Sequence, residues 1–447
     1  MHPPAPPEGK SLTPIEGLGR TIRHFFPDWR QWTGRLRDGR DGRYIDYDPP
    51  LLLWMGLLVF CLKIGSRRQI RFESDTVTAR QNLHLLCGDG QTALPHPDTL
   101  EYYLRLLPPA ELERLRRWMI HRLRRMKVLD DQRVEGMFLI ALDGTGQLTF
   151  PERHCPHCLT RTSGNTVIYY HTVLEAKLVT PSGLALSIAT EFIENPSANP
   201  SKQDCELGAF ARLAEVLKAQ FPQLKICLLL DGLYANGTVF DICRQNHWNH
   251  IITFKEGSMP ALWREYQTAK CLRPENHCVL DGPDNLRQSF AWATDLPHQD
   301  DQRRRHHVNV LECREEVGGA CTTFVWLTNV PLAHRNVVTR LANQGGRCRW
   351  KIENEGFNIQ KNGGYALEHA YSTHPQAIKH WYLLLQIACI LMQLLERGRL
   401  LGNVQKVYGS FKALGRRLAE SLRFQLIDPL AIDPARCRAI QIRLNSS

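Results

Sequence analysis

Apolar positions recur at two different spacings along this chain, and the change from one to the other divides it. Between Ile22 and Leu129 the recurrence is helical: from Ala110 to Met126, residues Leu112, Leu115, Met119, Leu123 and Met126 stand three and four apart, the stripe of an amphipathic helix facing a core. From Gly136 the texture changes to short, continuously apolar runs. Gly136 to Asp143 reads as a buried strand closing on Asp-Gly, and Val167 to Val179 and Ala185 to Ile193 as two more, joined by a turn at Pro181-Ser182-Gly183. Gln203 to Phe221 reads as an amphipathic helix. Ile226 to Asp231 is a second apolar strand closing on Asp-Gly, followed by a helix from Asn236 to Asn246 and a strand from His250 to Lys255. The string is βββαβαβ. Continuous apolar runs separated by helices predict an α/β sheet with parallel strands covered on both faces, because a sheet with one wet face would alternate.

Beyond Lys255 a polar, proline-containing stretch leads to two strands expected to pair antiparallel, Val308 to Glu316 and Thr322 to Val330. Helices are expected over Arg335 to Asn343 and Arg347 to Lys361. The pattern therefore predicts a helical amino-terminal region (1–130), the first part of an α/β core (131–255), a strand-rich insertion (256–332), the last helices of the core (333–400) and a basic carboxy-terminal region (401–447). The two most apolar runs, Leu51 to Leu62 and Trp381 to Leu395, are shorter than the roughly 20 residues of a membrane span and are read as buried helices.

With 447 residues, 43% of them hydrophobic, the chain can bury a large core, which excludes a disordered tail or a small stapled scaffold. Its 56 Lys and Arg against 45 Asp and Glu leave a net charge of +11, which favours a polyanionic partner. The helix of residues 110–126 concentrates that charge in Arg114, Arg116, Arg117, Arg122, Arg124, Arg125 and Lys127, a pattern that fits either a solvated face or a footprint for phosphates. Of the 14 cysteines all but Cys155-Pro-His-Cys158 are scattered singly, so they read as reduced thiols in a cytoplasmic protein; the amino terminus shows no secretory signal pattern. The Cys155/Cys158 pair is half of a zinc site, with His154, His157, His171 and Cys205 as sources of the other half, or else a loop of unligated thiols.

Asp143 and Asp231 each close a buried strand, where α/β sheets present their reactive groups. Either alone reads as an Asp-Gly turn. On neighbouring strands the two carboxylates would meet at one edge of the sheet and repel, unless a divalent cation neutralises them; an oxygen-only ligand set selects Mg2+ or Mn2+. The segment Arg349-Trp-Lys-Ile-Glu353-Asn-Glu355 through Lys361 offers a third acidic ligand. Arg349 and Glu353, four apart, share a helical face, either as an ordinary ion pair or as part of the site. Glu355, about 200° further round a regular helix, is the alternative third carboxylate.

These residues resemble the DDE transposases of bacterial insertion sequences, in the group whose RNase H-like domain carries a strand-rich insertion before the last catalytic residue. The resemblance covers residues 20 to 400. Its most specific part, Arg349-Trp350-Lys-Ile352-Glu353 with Phe357 and Lys361, is similar to that group's Tyr-x2-Arg-x3-Glu-x6-Lys signature; Asp231-Gly-Leu-Tyr234, Lys255 and Trp326-Leu-Thr-Asn329 support it. Two departures stand out: Gly346 occupies the tyrosine slot, and the interval from Glu353 to Lys361 is one residue too long.

The resemblance implies an RNase H-like mixed sheet flanked by helices, with an all-α amino-terminal domain and a helical carboxy-terminal region. It implies that Asp143, Asp231 and Glu353 bind two Mg2+ (or Mn2+) ions for in-line phosphoryl transfer, cutting transposon ends and joining the freed 3′-hydroxyl to target DNA. Arg349 and Lys361 would touch DNA phosphates, and the expected partner is double-stranded DNA, bound by a homodimer that is nucleoid-associated and needs no membrane. The residues themselves argue for metal-dependent phosphodiester chemistry. Arg114, Arg117, Arg124 and Arg125 are the candidate DNA-reading face, with Arg303 to Arg305 and Arg416-Arg417 as further phosphate contacts. The competing readings are a resolvase or repair nuclease, and a catalytically decayed or domesticated sequence-specific DNA-binding protein.

Overall fold

The computed structural model describes residues 12–88, 93–198, 200–432 and Leu444; the proline-rich amino terminus and Cys437 lie outside the described residues. Two compact units form, one from Leu129–Asn358 and one from the chain on either side of it. The amino-terminal and carboxy-terminal helices, expected as separate regions, thus belong to a single unit.

The Leu129–Asn358 unit is mixed α/β. Its strands are β1 (Phe138–Phe150), β2 (Leu159–Ser163), β3 (Thr166–Val179), β4 (Ala185–Ile193), β5 (Ile226–Leu230), β6 (Asn249–Thr253), β7 (His277–Asp281), β8 (Arg287–Gln299), β9 (Arg305–Val317) and β10 (Ala320–Thr328). They form one ten-stranded sheet in the order β2-β3-β1-β5-β6-β10-β9-β8-β7, with β4 sharing the outer edge of β3 with β2. The pairs β1–β5 and β5–β6 are parallel; β3 with β1, β2 and β4, β6 with β10, and all pairs among β7 to β10 are antiparallel. The sheet is therefore mixed, as expected, and its parallel strands are confined to β1, β5 and β6. Short turns, such as Gly318-Gly319 at φ 57° and 85°, join antiparallel neighbours. Parallel pairing follows where helices Glu206–Gln220 and Gly237–Asn246 intervene. The expected insertion is not separate from the sheet: β10 lies directly against β6 and carries the sheet on to β7.

β5 lies in the interior of this sheet, and its five residues are all fully buried. Past β10 the chain departs from the two regular helices expected there. An α-turn, Arg335–Arg340, opens into a π-helical stretch, Leu341–Gly345, tightens into a 3-10 stretch, Gly346–Trp350, and widens again into a π-helix, Ile352–Asn358.

The described residues of the other unit form helices, with one isolated bridge between Gly398 and Leu444. Its core pairs two apolar helices, Pro49–Cys61 and Pro375–Arg397, with the rings of Phe60 and Trp381 6.0 Å apart. Glu101, 3% exposed, ties early to late sequence: it accepts from Trp381 Nε1 at 3.1 Å and Ser372 Oγ at 2.5 Å and pairs with Arg67 at 2.8 Å. Pro375–Arg397 is the one described helix long and apolar enough to cross a membrane, and 89% of its most apolar window is buried inside the protein, as in a core helix. Leu112, Leu115, Met119 and Leu123 form the buried stripe of helix Ala110–Arg125. Arg116 is buried with them at 1% exposure, so the cationic face is narrower than the seven residues suggested.

Candidate active site

Asp143, within β1, and Asp231, at the end of β5, stand at the same level of adjacent strands. The parallel register of β1 and β5 runs to Ala141↔Leu229, and each aspartate lies two residues further along its own chain. Neighbouring strands are about 4.8 Å apart, and positions at one level of a parallel pair face the same way. One expectation is corrected: Asp143 does not end its strand, because β1 continues to Phe150 against β3, with Asp143 opposite Glu175. Asp231 does end β5. Its backbone stays extended at φ −82°, and its Oδ1 accepts the Leu233 N–H at 2.9 Å, capping the turn Gly232–Tyr234.

Glu353 lies in the π-helix Ile352–Asn358. Asp143 carries a carboxyl pushed up to about 6, chiefly by burial; Arg349 opposes the rise, and the negative charges of Glu206, Asp231 and Glu353 add to it. Of the two glutamates, Glu353 acts on Asp143 through its charge, whereas Glu355 pairs with Lys351, 3.1 Å away. Regular geometry could not accommodate the surplus residue of this segment, but a π-turn bonds i to i+5 and so takes up one extra residue.

Arg349 and Gly346 are explained together. The Arg349 side chain is 13% exposed, its Nη1 lies 3.4 Å from Asp143 Oδ2, and its guanidinium covers the ring of Trp350, itself 53% exposed. A Cβ on Gly346 would fall 2.4 Å from Cε2 of Trp326, so the tyrosine of the signature cannot be seated here. Trp326 stacks on Phe324 at an interplanar angle of 8°, and Arg347 covers Phe324.

Glu206 was not anticipated as a site residue. It opens helix Glu206–Gln220, accepts the buried hydroxyl of Tyr234 at 2.7 Å, and packs over Gly144, where an added Cβ would lie 2.6 Å from its Oε2. Burial pushes its carboxyl up, the Tyr234 hydrogen bond pulls it down, and Asp231 raises it further. Tyr234 was visible in the sequence as part of Asp231-Gly-Leu-Tyr234; nothing local marked its partner.

The remaining candidates lie elsewhere. Lys361 belongs to the helical unit and pairs with Glu368 at 3.3 Å. Arg114, Arg117, Arg124 and Arg125 come together around a groove of about 330 Å3, lined also by Trp32, Trp118 and His121. Arg114 is partly neutralised there by Glu111. Arg304 is committed to Asp300 and Asp241, both at 2.7 Å, at the rim of a cleft of about 650 Å3 that also includes Leu207 and Leu233; Arg417 pairs with Glu420 at 2.7 Å. Cys155 and Cys158 stand in a second cluster with His154 and His171. Comparisons with models of known protein families and with curated proteins find no match to this chain.

Proposed function

We propose that this chain is a DDE-type transposase on an RNase H-like core, which cuts DNA at transposon ends and transfers the freed 3′ ends to target DNA. The observation that carries the reading is the parallel register that sets Asp143 and Asp231 at one level of adjacent strands, where the negative charges of Asp231 and Glu353 both act on Asp143. These three would hold Mg2+ or Mn2+, with Glu206 beside them. The donor set fits: it is all carboxylate oxygen, and Asp143 is held near 6 by burial and like charge, a penalty that a divalent cation reverses. Such an ion, when bound, supplies Lewis-acid activation for phosphodiester displacement.

The chain's own residues supply positioning. Leu233 N–H fixes one oxygen of Asp231, and Tyr234 fixes one oxygen of Glu206. Arg349 orients Asp143 and brings a cation for the phosphate to the same point. Trp350, half exposed with the Arg349 guanidinium over its ring, adds an aromatic contact for an unpaired base beside it.

The test is incubation of the full chain and Mg2+ with DNA carrying the sequences that flank its reading frame. Wild type and Glu355→Ala are expected to nick this DNA; Asp143→Ala, Asp231→Ala and Glu353→Ala are expected to bind it without cutting. A wild type that binds the flanking DNA and leaves it intact with both Mg2+ and Mn2+ would instead identify a DNA-binding protein without catalytic function.

A further inference from the structure

The loop between β1 and β2 has little apolar content: Glu152, Arg153, His154, Pro156 and His157 surround its two cysteines. Nevertheless Cys158 is fully buried, Cys155 is 5% exposed, and His171, reaching across from β3, is 4% exposed. The ligand atoms of these three and His154 all lie within 4.8 Å of one another.

The separations match a metal tetrahedron. Zn–S bonds of about 2.3 Å and Zn–N bonds of about 2.0–2.1 Å put tetrahedral edges at about 3.8 Å for S···S, 3.6 Å for S···N and 3.3 Å for N···N. Cys155 Sγ lies 3.4 Å from Cys158 Sγ and 3.5 Å from His171 Nε2, and Cys158 Sγ lies 3.6 Å from His171 Nε2. His154 supplies the fourth corner through one of its two ring nitrogens: Nε2 lies 3.2 Å from His171 Nε2, and Nδ1 lies 3.4 Å from Cys158 Sγ.

We infer that His154, Cys155, Cys158 and His171 form a structural zinc site that pins the β1–β2 loop to β3. On binding, each thiol loses its proton to solvent as its sulfur–zinc bond forms, and each histidine donates a neutral ring nitrogen, so the ion's two positive charges are balanced by two thiolates. Four protein ligands leave no open position, which marks the site as structural rather than catalytic. The two other residues that the sequence left open are excluded. His157 Nδ1 faces the Asn195 carbonyl at 3.0 Å, and Cys205 is exposed at the start of helix Glu206–Gln220.

The pinned loop bears on the acidic cluster through one strap. Asn195 Nδ2 donates to the Cys158 carbonyl at 2.8 Å, the Asn195 side-chain oxygen accepts from Asp204 N–H at 3.3 Å, and Glu206 follows two residues later. Zinc would therefore hold the segment that presents Glu206. The zinc site itself does not depend on the phosphodiester reading.

The test is metal analysis of the full chain purified without chelator from zinc-supplemented cells. About one zinc per chain is expected. Cys155→Ser/Cys158→Ser and His171→Ala should fall to near none, and Cys205→Ser and His157→Ala should keep it. Cobalt exchanged into the wild type should give thiolate-to-metal charge-transfer absorption with tetrahedral ligand-field bands. A third readout uses wild type alone, so it stands even if the variants fail to fold: alkylation mapped by mass spectrometry should spare Cys155 and Cys158 until a chelator is added, while Cys205 reacts throughout. A wild type that takes up no zinc after dialysis against it, a Cys205→Ser chain that loses zinc, or thiol reactivity indifferent to chelator would each overturn the inference.

Discussion

Tyr234, fully buried, donates its hydroxyl to Glu206 at 2.7 Å, so the turn that follows Asp231 holds the first residue of a helix that begins after β4. This fixes a fourth carboxylate beside Asp143 and Asp231. Loss of a hydrogen bond that orients a metal-site carboxylate typically costs 10–100-fold in affinity or activity. Tyr234→Phe is accordingly expected to raise the Mg2+ concentration needed for cleavage by about 10-fold or more, leaving DNA binding unchanged. An unaltered Mg2+ titration would show that Glu206 takes no part.

How far the site was legible depends on where each signal resides. Asp143 and Asp231 could be found because each closes an apolar run, a local feature. Glu206 could not, since its proximity follows from strand order and from a polar strap, 194–205, without periodicity. Apolar continuity reported burial but not strand direction: the antiparallel β9–β10 pair was legible from its short turn, whereas the antiparallel pairing of β1 with β3 and of β6 with β10 was not. The end of β1 was misplaced for a related reason: beyond Asp143 the residues turn polar, Thr145 and Gln147 among them, yet the antiparallel ladder to β3 holds them in the strand. The surplus residue after Glu353 was visible as a spacing anomaly. Its resolution as a π-helix depends on backbone bonding that residue types do not encode.

Gly346 is a departure from the signature whose reason lies twenty residues earlier, in Trp326. Because a Cβ there would intrude on the indole at 2.4 Å, even Gly346→Ala should overpack the site and cost about 1–3 kcal/mol. Restoring the signature with Gly346→Tyr should cost more, read as a lowered melting temperature. A Gly346→Tyr chain as stable as wild type would show that Trp326 moves aside freely.

The two signature glutamates should separate cleanly. Glu353 acts on Asp143, and Glu355 is held by Lys351 with both side chains about a quarter exposed. Glu353→Gln should abolish cleavage with little change in melting temperature, while Glu355→Gln should cut at near wild-type rate and lose at most about 1 kcal/mol of stability. The reverse pattern would transfer the third carboxylate to Glu355.

His250 sets an acid limit on folding. It lies in β6 at 2% exposure, its ring stacked on Phe240 at 5.4 Å, and burial lowers its pKa from 6.5 to about 4. Between those values the unfolded chain binds the proton and the native chain does not, so the stability contributed by neutral His250 is present above pH 6.5 and lost as pH falls toward 4. The loss is on the order of 3 kcal/mol. Urea denaturation at pH 7 and pH 4.5 should show it, and His250→Phe, which keeps the stack and removes the titration, should flatten that part of the profile.

The basic groove of helix Ala110–Arg125 makes a prediction about salt rather than chemistry. Trp32 and Trp118 stack there with centroids 5.0 Å apart in the groove that Arg117, Arg124 and Arg125 also line, while Arg114 shares its charge with Glu111. If the three arginines neutralise phosphates, replacing them together by alanine removes three counterion-releasing contacts. The dependence of log affinity on log salt should then flatten by about 3, whereas Arg114→Ala should flatten it by less than 1. Because phosphates carry no sequence information, affinity should fall about equally for flanking and unrelated DNA. A triple variant with an unchanged salt slope would return this face to an ordinary solvated one.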